Sequence, residues 1–214
     1  VGAGGGYSDY VVARQADIYC LPDRLSFDDA AALQVQGLTA LHMVRQGSPE
    51  ARSVLVTAAA GGVGSLLVQL ARGRGASLII AAAGTEEKRQ IARSLGADVV
   101  VDYSRPGWSE EVREITSGGV DLAYDLVGGA RTKSCLKALA PGGELVFGAL
   151  GRVDLEPSEL EELLAQNQSI RGFALLPLLT GAGLTKDLGW LFDEAASGRL
   201  SVLNGGSYPV DQVP

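Results

Sequence analysis

The residues with the clearest chemistry lie in the run from Ser53 to Arg72, SVLVTAAAGGVGSLLVQLAR. Val54 to Thr57 is a short apolar run of strand-forming types, and Leu66, Leu67, Leu70 and Ala71 recur at helical spacing after Gly64. Between them Ala59, Gly61 and Gly64 are spaced Ala-x-Gly-x-x-Gly, a dinucleotide fingerprint with alanine at the first glycine position. That substitution requires Ala59 to keep φ below zero. Gly61 lets backbone approach a pyrophosphate, and Gly64 lets the helix pack closely on the strand. The N–H groups that open the helix, at Gly62, Val63 and Gly64, have no partner inside it and point with the positive end of its dipole at an anion. The competing reading is that Gly61 and Gly62 only build a turn. The placement after a strand and before a helix, with a second strand following, favours a nucleotide.

The second position that bears on chemistry is the end of that second strand. In a fold of this kind a carboxylate about 20 residues beyond the glycines bonds a ribose 2′-hydroxyl. Here the position is Ala83-Gly84, with no carboxylate. Gly84 leaves room for a 2′-phosphate, and Lys88, one turn into the next helix, is placed to neutralise it. Against this, Glu86, Glu87, Lys88 and Arg89 together read as a solvated helix face with acids in its first turn.

Other reactive side chains are scattered. His42 is the single histidine, and neither Cys20 nor Cys135 lies at metal-ligand spacing from it, so no zinc site and no disulfide framework is expected. The cysteines read as small buried residues in a reducing compartment, and the chain as cytoplasmic. Glu159, Glu161 and Glu162 read as an exposed helix face rather than paired catalytic acids. No catalytic residue is assigned, so the chemistry falls to a cofactor, with the protein aligning the reactants and excluding water.

The 214 residues are 46% hydrophobic with a formal net charge of -7, enough for a substantial core and, without a Lys/Arg cluster, unsuited to nucleic acid. The longest apolar stretch, Gly172 to Leu184, is interrupted by Pro177, Gly181 and Gly183, so no membrane span is expected. The chain opens at Val1 without a basic leader and closes at Pro214, and is read as a fragment of a longer protein.

The elements that hold these residues alternate. Strands are predicted at Val54 to Thr57, Leu78 to Ala82, Val99 to Val101, Leu122 to Leu126, Leu145 to Phe147 and Ile170 to Ala174. Helices fall near Val63 to Arg72, Glu86 to Leu95, Glu110 to Thr116, Arg131 to Leu139 and Ser158 to Gln166, with Gly75, Gly96 and Gly118 at stop positions. The expected fold is α/β: a doubly wound, parallel, six-stranded Rossmann sheet in the order 3-2-1-4-5-6. Before it, Tyr7 to Ala13 and Ile18 to Leu21 read as strands, Ser26-x-x-Asp29 as a capping box ahead of Ala30 to Leu33, and Thr39 to Arg45 as a helix ending at Gly47.

The AAAGGVG run, the Gly-Thr-x-x-Lys at 84–88, the "LP..LSF..AA" segment and the GLTA at 37–40 resemble the zinc-independent quinone oxidoreductase branch of the medium-chain dehydrogenase/reductase family. The resemblance covers nearly the whole chain. It implies that residues 1–46 are the tail of a GroES-like catalytic domain with its connecting helix, 47–203 the dinucleotide-binding domain, and 204–214 the start of a return to the catalytic domain. It implies NADPH as cofactor, with Tyr103 near the adenosine, Val127 and Gly128 where ribose and nicotinamide pass, Phe147 and Gly148 at the nicotinamide half, and Thr39 hydrogen-bonding near it. Each has a structural alternative: a surface tyrosine for Tyr103, core packing for Phe147, a helix cap for Thr39. Phe173 reads as core or interface.

The activity implied is reduction of a quinone or an α,β-unsaturated carbonyl compound. The alternatives are an enoyl-thioester reductase and a cofactor-binding module without turnover; a methyltransferase is disfavoured by Ala83-Gly84. Homodimerisation is expected through the sixth strand, an open edge blunted only by Arg171 and Gly172.

Overall fold

The computed structural model describes residues 10–15, 18–179, 183–206 and 208–209. An α/β sheet organises them. Its strands are β1 (Ser53–Thr57), β2 (Leu78–Ala83), β3 (Val99–Asp102), β4 (Val120–Asp125), β5 (Leu139–Phe147) and β6 (Ser169–Gly172), in the order β3-β2-β1-β4-β5-β6 and parallel throughout. This is the doubly wound order expected, and β1 sits at its centre because both halves grow outward from it. Val54, Leu55 and Val56 are wholly buried, as a parallel sheet covered on both faces requires.

The helices between strands are α3 (Gly62–Gly73), α4 (Glu86–Ser94), α5 (Trp108–Ile115), α6 (Ala130–Ala138) and α7 (Pro157–Ala165). They fall within two residues of the expected bounds. Before the sheet come α1 (Phe27–Ala32), a π turn (Leu33–Gly37) and α2 (Leu38–Gly47); after it comes α8 (Gly183–Ala196). Two apolar cores result. One packs α2, α3, the π turn and α8 on one sheet face, around Leu41, Met43, Leu67 and Leu191; the other packs α5 and α6 on the opposite face, around Trp108, Leu136 and Leu145.

Several expectations are corrected. The segments Tyr10–Ala13 and 18–21 are not strands; Tyr10, Val11, Val12 and Ile18 are exposed, and neither segment joins the sheet formed by the described residues. Cys20 lies in the second of these and is exposed, unlike the buried Cys135. Residues 7–9 and most of 207–214 lie outside the described residues, so the first part of the Tyr7 strand and the closing segment go untested. Strand β5 begins at Leu139 rather than Leu145, its early part pairing Val120 with Leu139 across an irregularity at Pro141-Gly142-Gly143. Strand β6 ends at Gly172, and Phe173 turns into the core at 5% exposure. Helix α8 was not anticipated.

The expected cap before α1 is present, with Ser26 Oγ accepting the Asp29 N–H at 3.0 Å. Helices α2 and α8 are joined by Asp187, which receives both Arg45 guanidinium nitrogens at 2.7 Å and lies 3.1 Å from His42 Nε2. The Arg45 hydrogen bonds hold the Asp187 carboxyl below the ordinary range, and burial, aided by Arg45, holds His42 below its own. Both depressions have one sign. The unfolded chain binds protons more readily, so stability is complete above the ordinary histidine value near 6.5 and declines as pH falls, His42 acting first and Asp187 at more acid pH. Thermal melts between pH 8 and pH 5 on the order of these ordinary pKa values should show a falling Tm. His42→Gln should flatten the decline between neutrality and pH 5; an unchanged slope would remove His42 from this role.

Candidate functional site

The site lies along the carboxyl ends of the strands, where an open doubly wound sheet forms its crevice. β1 leaves the sheet through Ala58, which carries the left-handed conformation of the turn at φ 47°, while Ala59 is not among the positive-φ residues. The alanine at the first fingerprint position is therefore accommodated by moving the strained residue back by one. Gly61 N–H donates to the Ala58 carbonyl at 2.8 Å, and Ala59 N–H to the Ala82 carbonyl of β2 at 3.2 Å, so the turn is tied to two strands. A Cβ at Gly64 would lie 2.2 Å from the Ala58 carbonyl oxygen, which is why the helix meets the strand at glycine. Gly61 caps α3 with extended backbone and no side-chain hydrogen bond. The first-turn N–H groups at Gly62, Val63 and Gly64 have no partner within the helix.

Over this turn lies a residue that the sequence did not single out. Gln36, in the π turn, reaches so close that a Cβ on Gly62 would stand 2.8 Å from its Nε2. Single π turns within helices are found frequently at functional sites. The signal available in the sequence was only adjacency to the GLTA run.

On the β2 side, Gly84 has ordinary space beside it, its nearest neighbour being Tyr103 Cε2 at 3.5 Å from an ideal Cβ. Tyr103 follows β3, and Ala83 pairs in register with Asp102, so the two strand ends share one rim. Thr85 caps α4 by accepting the Lys88 N–H at 3.3 Å. Lys88 is exposed and makes no ion pair among the described residues. Its neighbours in the charge run are engaged elsewhere: Arg89 is held 2.8 Å from Glu86 and 3.1 Å from Asp102, with its side chain only 14% exposed. Glu86 also receives Gln90. The solvated-face reading therefore fails for Arg89 and holds for Glu87.

At the end of β4, Asp125 is wholly buried, yet its carboxylate is saturated. It accepts from Thr57 Oγ1 at 3.2 Å, Val127 N at 2.9 Å, Gly128 N at 3.2 Å and Thr132 Oγ1 at 2.6 Å. This fixes the Val127–Gly129 loop, in which Gly128 has φ 81° and no space for a Cβ, Arg152 Cβ standing 2.5 Å away. At the end of β5, Phe147 is buried at 7% exposure, and Gly148 accommodates Met43 Cε of α2 at 3.1 Å from an ideal Cβ. Thr39 lies one turn before Met43 on the same helix face. It caps nothing, since α2 continues the π turn without a side-chain cap. Among the described residues, no group of three His, Cys, Asp or Glu is arranged to hold a metal, and no helix is long and apolar enough to cross a membrane.

A family profile described as "Zinc-binding dehydrogenase" matches residues 62–180, more than half of the chain. The chain belongs to the zinc-binding dehydrogenase family. Within that family it sits in the zinc-independent quinone oxidoreductase branch, as its relatives indicate. A quinone oxidoreductase of Homo sapiens is 29% identical over 213 residues, covering 98% of this chain and 63% of the relative. A 2-haloacrylate reductase of a Burkholderia species is 39% identical over 145 residues, covering 65% of this chain and 43% of the relative. Among solved structures, the quinone oxidoreductase from Thermus thermophilus, determined also in complex with NADPH, aligns with a TM-score of 0.77 at 32% identity, covering 92% of this chain and 63% of that one. The chain thus spans less than two thirds of the length of these dehydrogenase-family relatives.

Proposed function

We propose that the chain is the dinucleotide-binding part of an NADPH-dependent reductase of quinones or α,β-unsaturated carbonyl compounds. The observation that carries the reading is the rim of β2, where Gly84 has only Tyr103 in ordinary contact beside it, no carboxylate follows the strand, and Lys88 has no ion pair among the described residues. That arrangement suits a 2′-phosphate, as the uncapped first turn of α3 suits a pyrophosphate. The relatives named for quinone and 2-haloacrylate reduction support the direction of the chemistry.

When bound, the reduced nicotinamide supplies hydride to the conjugated acceptor. The residues of this chain bind and orient. Gly61, Gly62, Val63 and Gly64 hold the pyrophosphate; Gly84, Lys88 and Tyr103 hold the phosphorylated adenosine; Thr39, Val127, Phe147 and Gly148 border the nicotinamide half. Residues 1–46 and 204–214 are assigned to the catalytic domain and 47–203 to the dinucleotide domain. Turnover is tested by NADPH oxidation with the protein at the full length of its reading frame, against quinones, enones and enoyl thioesters. Preference for thioesters would favour the enoyl-reductase reading, and binding without turnover a cofactor-binding module.

Lys88→Ala should weaken NADPH roughly tenfold, the low end for a charge-assisted contact at an exposed rim, and leave NADH nearly unchanged. Paired titrations at fixed low salt decide it; equal weakening of both cofactors would make Lys88 structural. Self-association through β6 is a further part of the reading, since Ser169–Gly172 forms the sheet edge next to β5 with its backbone open on one side. Light scattering at micromolar protein should report a dimer; a monomer would count against it.

A further inference from the structure

A second cation stands at the same rim. Arg131 lies in the first turn of α6, where the helix dipole disfavours positive charge. It makes no ion pair among the described residues, in a chain whose acids outnumber its bases by 25 to 18. Its guanidinium carbon lies 5.0 Å from the centroid of the Tyr103 ring. Tyr103 in turn borders Gly84, with its Cε2 at 3.5 Å from the position of an ideal Cβ. Among the described residues the Tyr103 ring is the partner of the guanidinium, and no acid forms an ion pair with its N–H groups.

The acids that might have satisfied Arg131 are already engaged. Asp102, at the end of β3, is shared by Arg89 at 3.1 Å and Arg105 at 3.4 Å and accepts the Ser104 N–H at 3.0 Å. Asp125, at the end of β4, is saturated by Thr57, Val127, Gly128 and Thr132. Among the described residues, the rim formed by the ends of β2, β3 and β4 thus carries the engaged acids Asp102 and Asp125 and the exposed Glu87, with Lys88, Arg131 and Arg152 making no ion pair; of these, Arg152 is turned to the Val127 carbonyl. A guanidinium carries a planar fork of N–H groups that suits two oxygens of one phosphate, whereas a lysine acts as a point charge.

We infer that Arg131, seated on Tyr103, is a specificity-determining residue for the 2′-phosphate of the adenosine half, acting with Lys88. The inference rests on the NADPH reading above. Lys88 supplies charge from the solvent side of Gly84, and Arg131 supplies directed hydrogen bonds from the Tyr103 side. Tyr103 is its positioning residue.

The test uses adenosine 2′,5′-bisphosphate and adenosine 5′-monophosphate, alongside NADPH and NADH, in titrations of the wild-type chain, Arg131→Met and Arg131→Lys. Arg131→Met keeps length and apolar contact with the ring and is expected to weaken the 2′-phosphorylated ligands by roughly tenfold or more, with less than about twofold change for the others. Arg131→Lys restores charge without the planar fork and should recover only part of the loss. The 2′-phosphate selectivity of wild type should also fall more steeply with salt than that of Arg131→Met. Equal weakening of both ligand classes, or no change in either, would overturn the inference while leaving the NADPH reading intact. A wild-type chain that does not discriminate the 2′-phosphorylated ligands would overturn both.

Discussion

Gly64→Ala is expected to cost the chain its NADPH binding while leaving a folded, less stable protein. The added Cβ would meet the Ala58 carbonyl oxygen at 2.2 Å, Ala58 C at 2.8 Å and Ala59 Cα at 2.9 Å, all backbone atoms that cannot rotate away. Helix α3 must then retreat from β1 by about 1 Å to reach ordinary contact, the scale at which misplacement of binding groups costs on the order of a hundredfold. Overpacking of this kind destabilises by about 1 to 3 kcal/mol, or roughly 2 to 4 °C in Tm for each kcal/mol at this chain length. Two neighbours serve as internal comparisons. A Cβ at Gly61 stands 3.2 Å from the same oxygen, and one at Gly62 meets only the flexible Gln36 side chain, so Gly61→Ala and Gly62→Ala should disturb the fold less. A Gly64→Ala protein with wild-type Tm and wild-type NADPH affinity would show that the close approach of α3 to β1 is not what shapes the turn.

The second large effect is expected at Asp125. Asp125→Ala would leave the N–H groups of Val127 and Gly128 and the hydroxyls of Thr57 and Thr132 without the acceptor they now share in a buried setting. Each stranded buried donor costs about 1 to 3 kcal/mol, although the hydroxyls can turn to other acceptors, so a loss on the order of 3 kcal/mol is expected overall. Asp125→Asn keeps an oxygen for the two N–H groups and offers an amide to the Thr132 hydroxyl, which can accept. It should retain most of the stability. Urea denaturation of the pair measures the difference; equal losses in both variants would mean that the negative charge, not the acceptor geometry, stabilises the loop.

The sheet was legible because its signals are local. Strand β1, the glycine turn and α3 are specified within one continuous run, and Gly75, Gly96 and Gly118 mark boundaries by their own conformational preferences, all three having positive φ. The candidate site was legible only in part. Gly64 and Gly84 act through what they lack, which a sequence displays directly. Asp125 acts through Thr57, 68 positions earlier, and no local pattern announces that pairing. The charge run of α4 was readable as to composition but not phase: Arg89 turns toward Asp102 and Lys88 away because β3 lies alongside β2. Strand β5 was shortened in the reading because Pro141-Gly142-Gly143 has turn composition, while the structure absorbs it as an irregularity between paired strands. The early segments 10–13 and 18–21 have strand-forming residues but no strand beside them among the described residues, and propensity alone does not make a sheet.

The π turn at Leu33–Gly37 sets a phase between two helices. Gly37 lies there between Leu33 Cδ2 of the turn itself and Leu191 Cδ1 of α8, at 2.9 and 3.2 Å from an ideal Cβ, so the turn is packed from both its own chain and α8. One residue of an α-helix corresponds to roughly 100° of rotation. Were these five residues wound as ordinary α-helix, the chain would turn further by about one residue, roughly 100°, and α1 and α2 could no longer both present their buried faces to the core. One of them would have to rotate, and Gln36 would leave the surface of Gly62. The chain thus carries, in five residues, an indexing device: its length in sequence is converted into an angle, and that angle keeps the approach to the glycine turn aligned with the hydrophobic faces on either side.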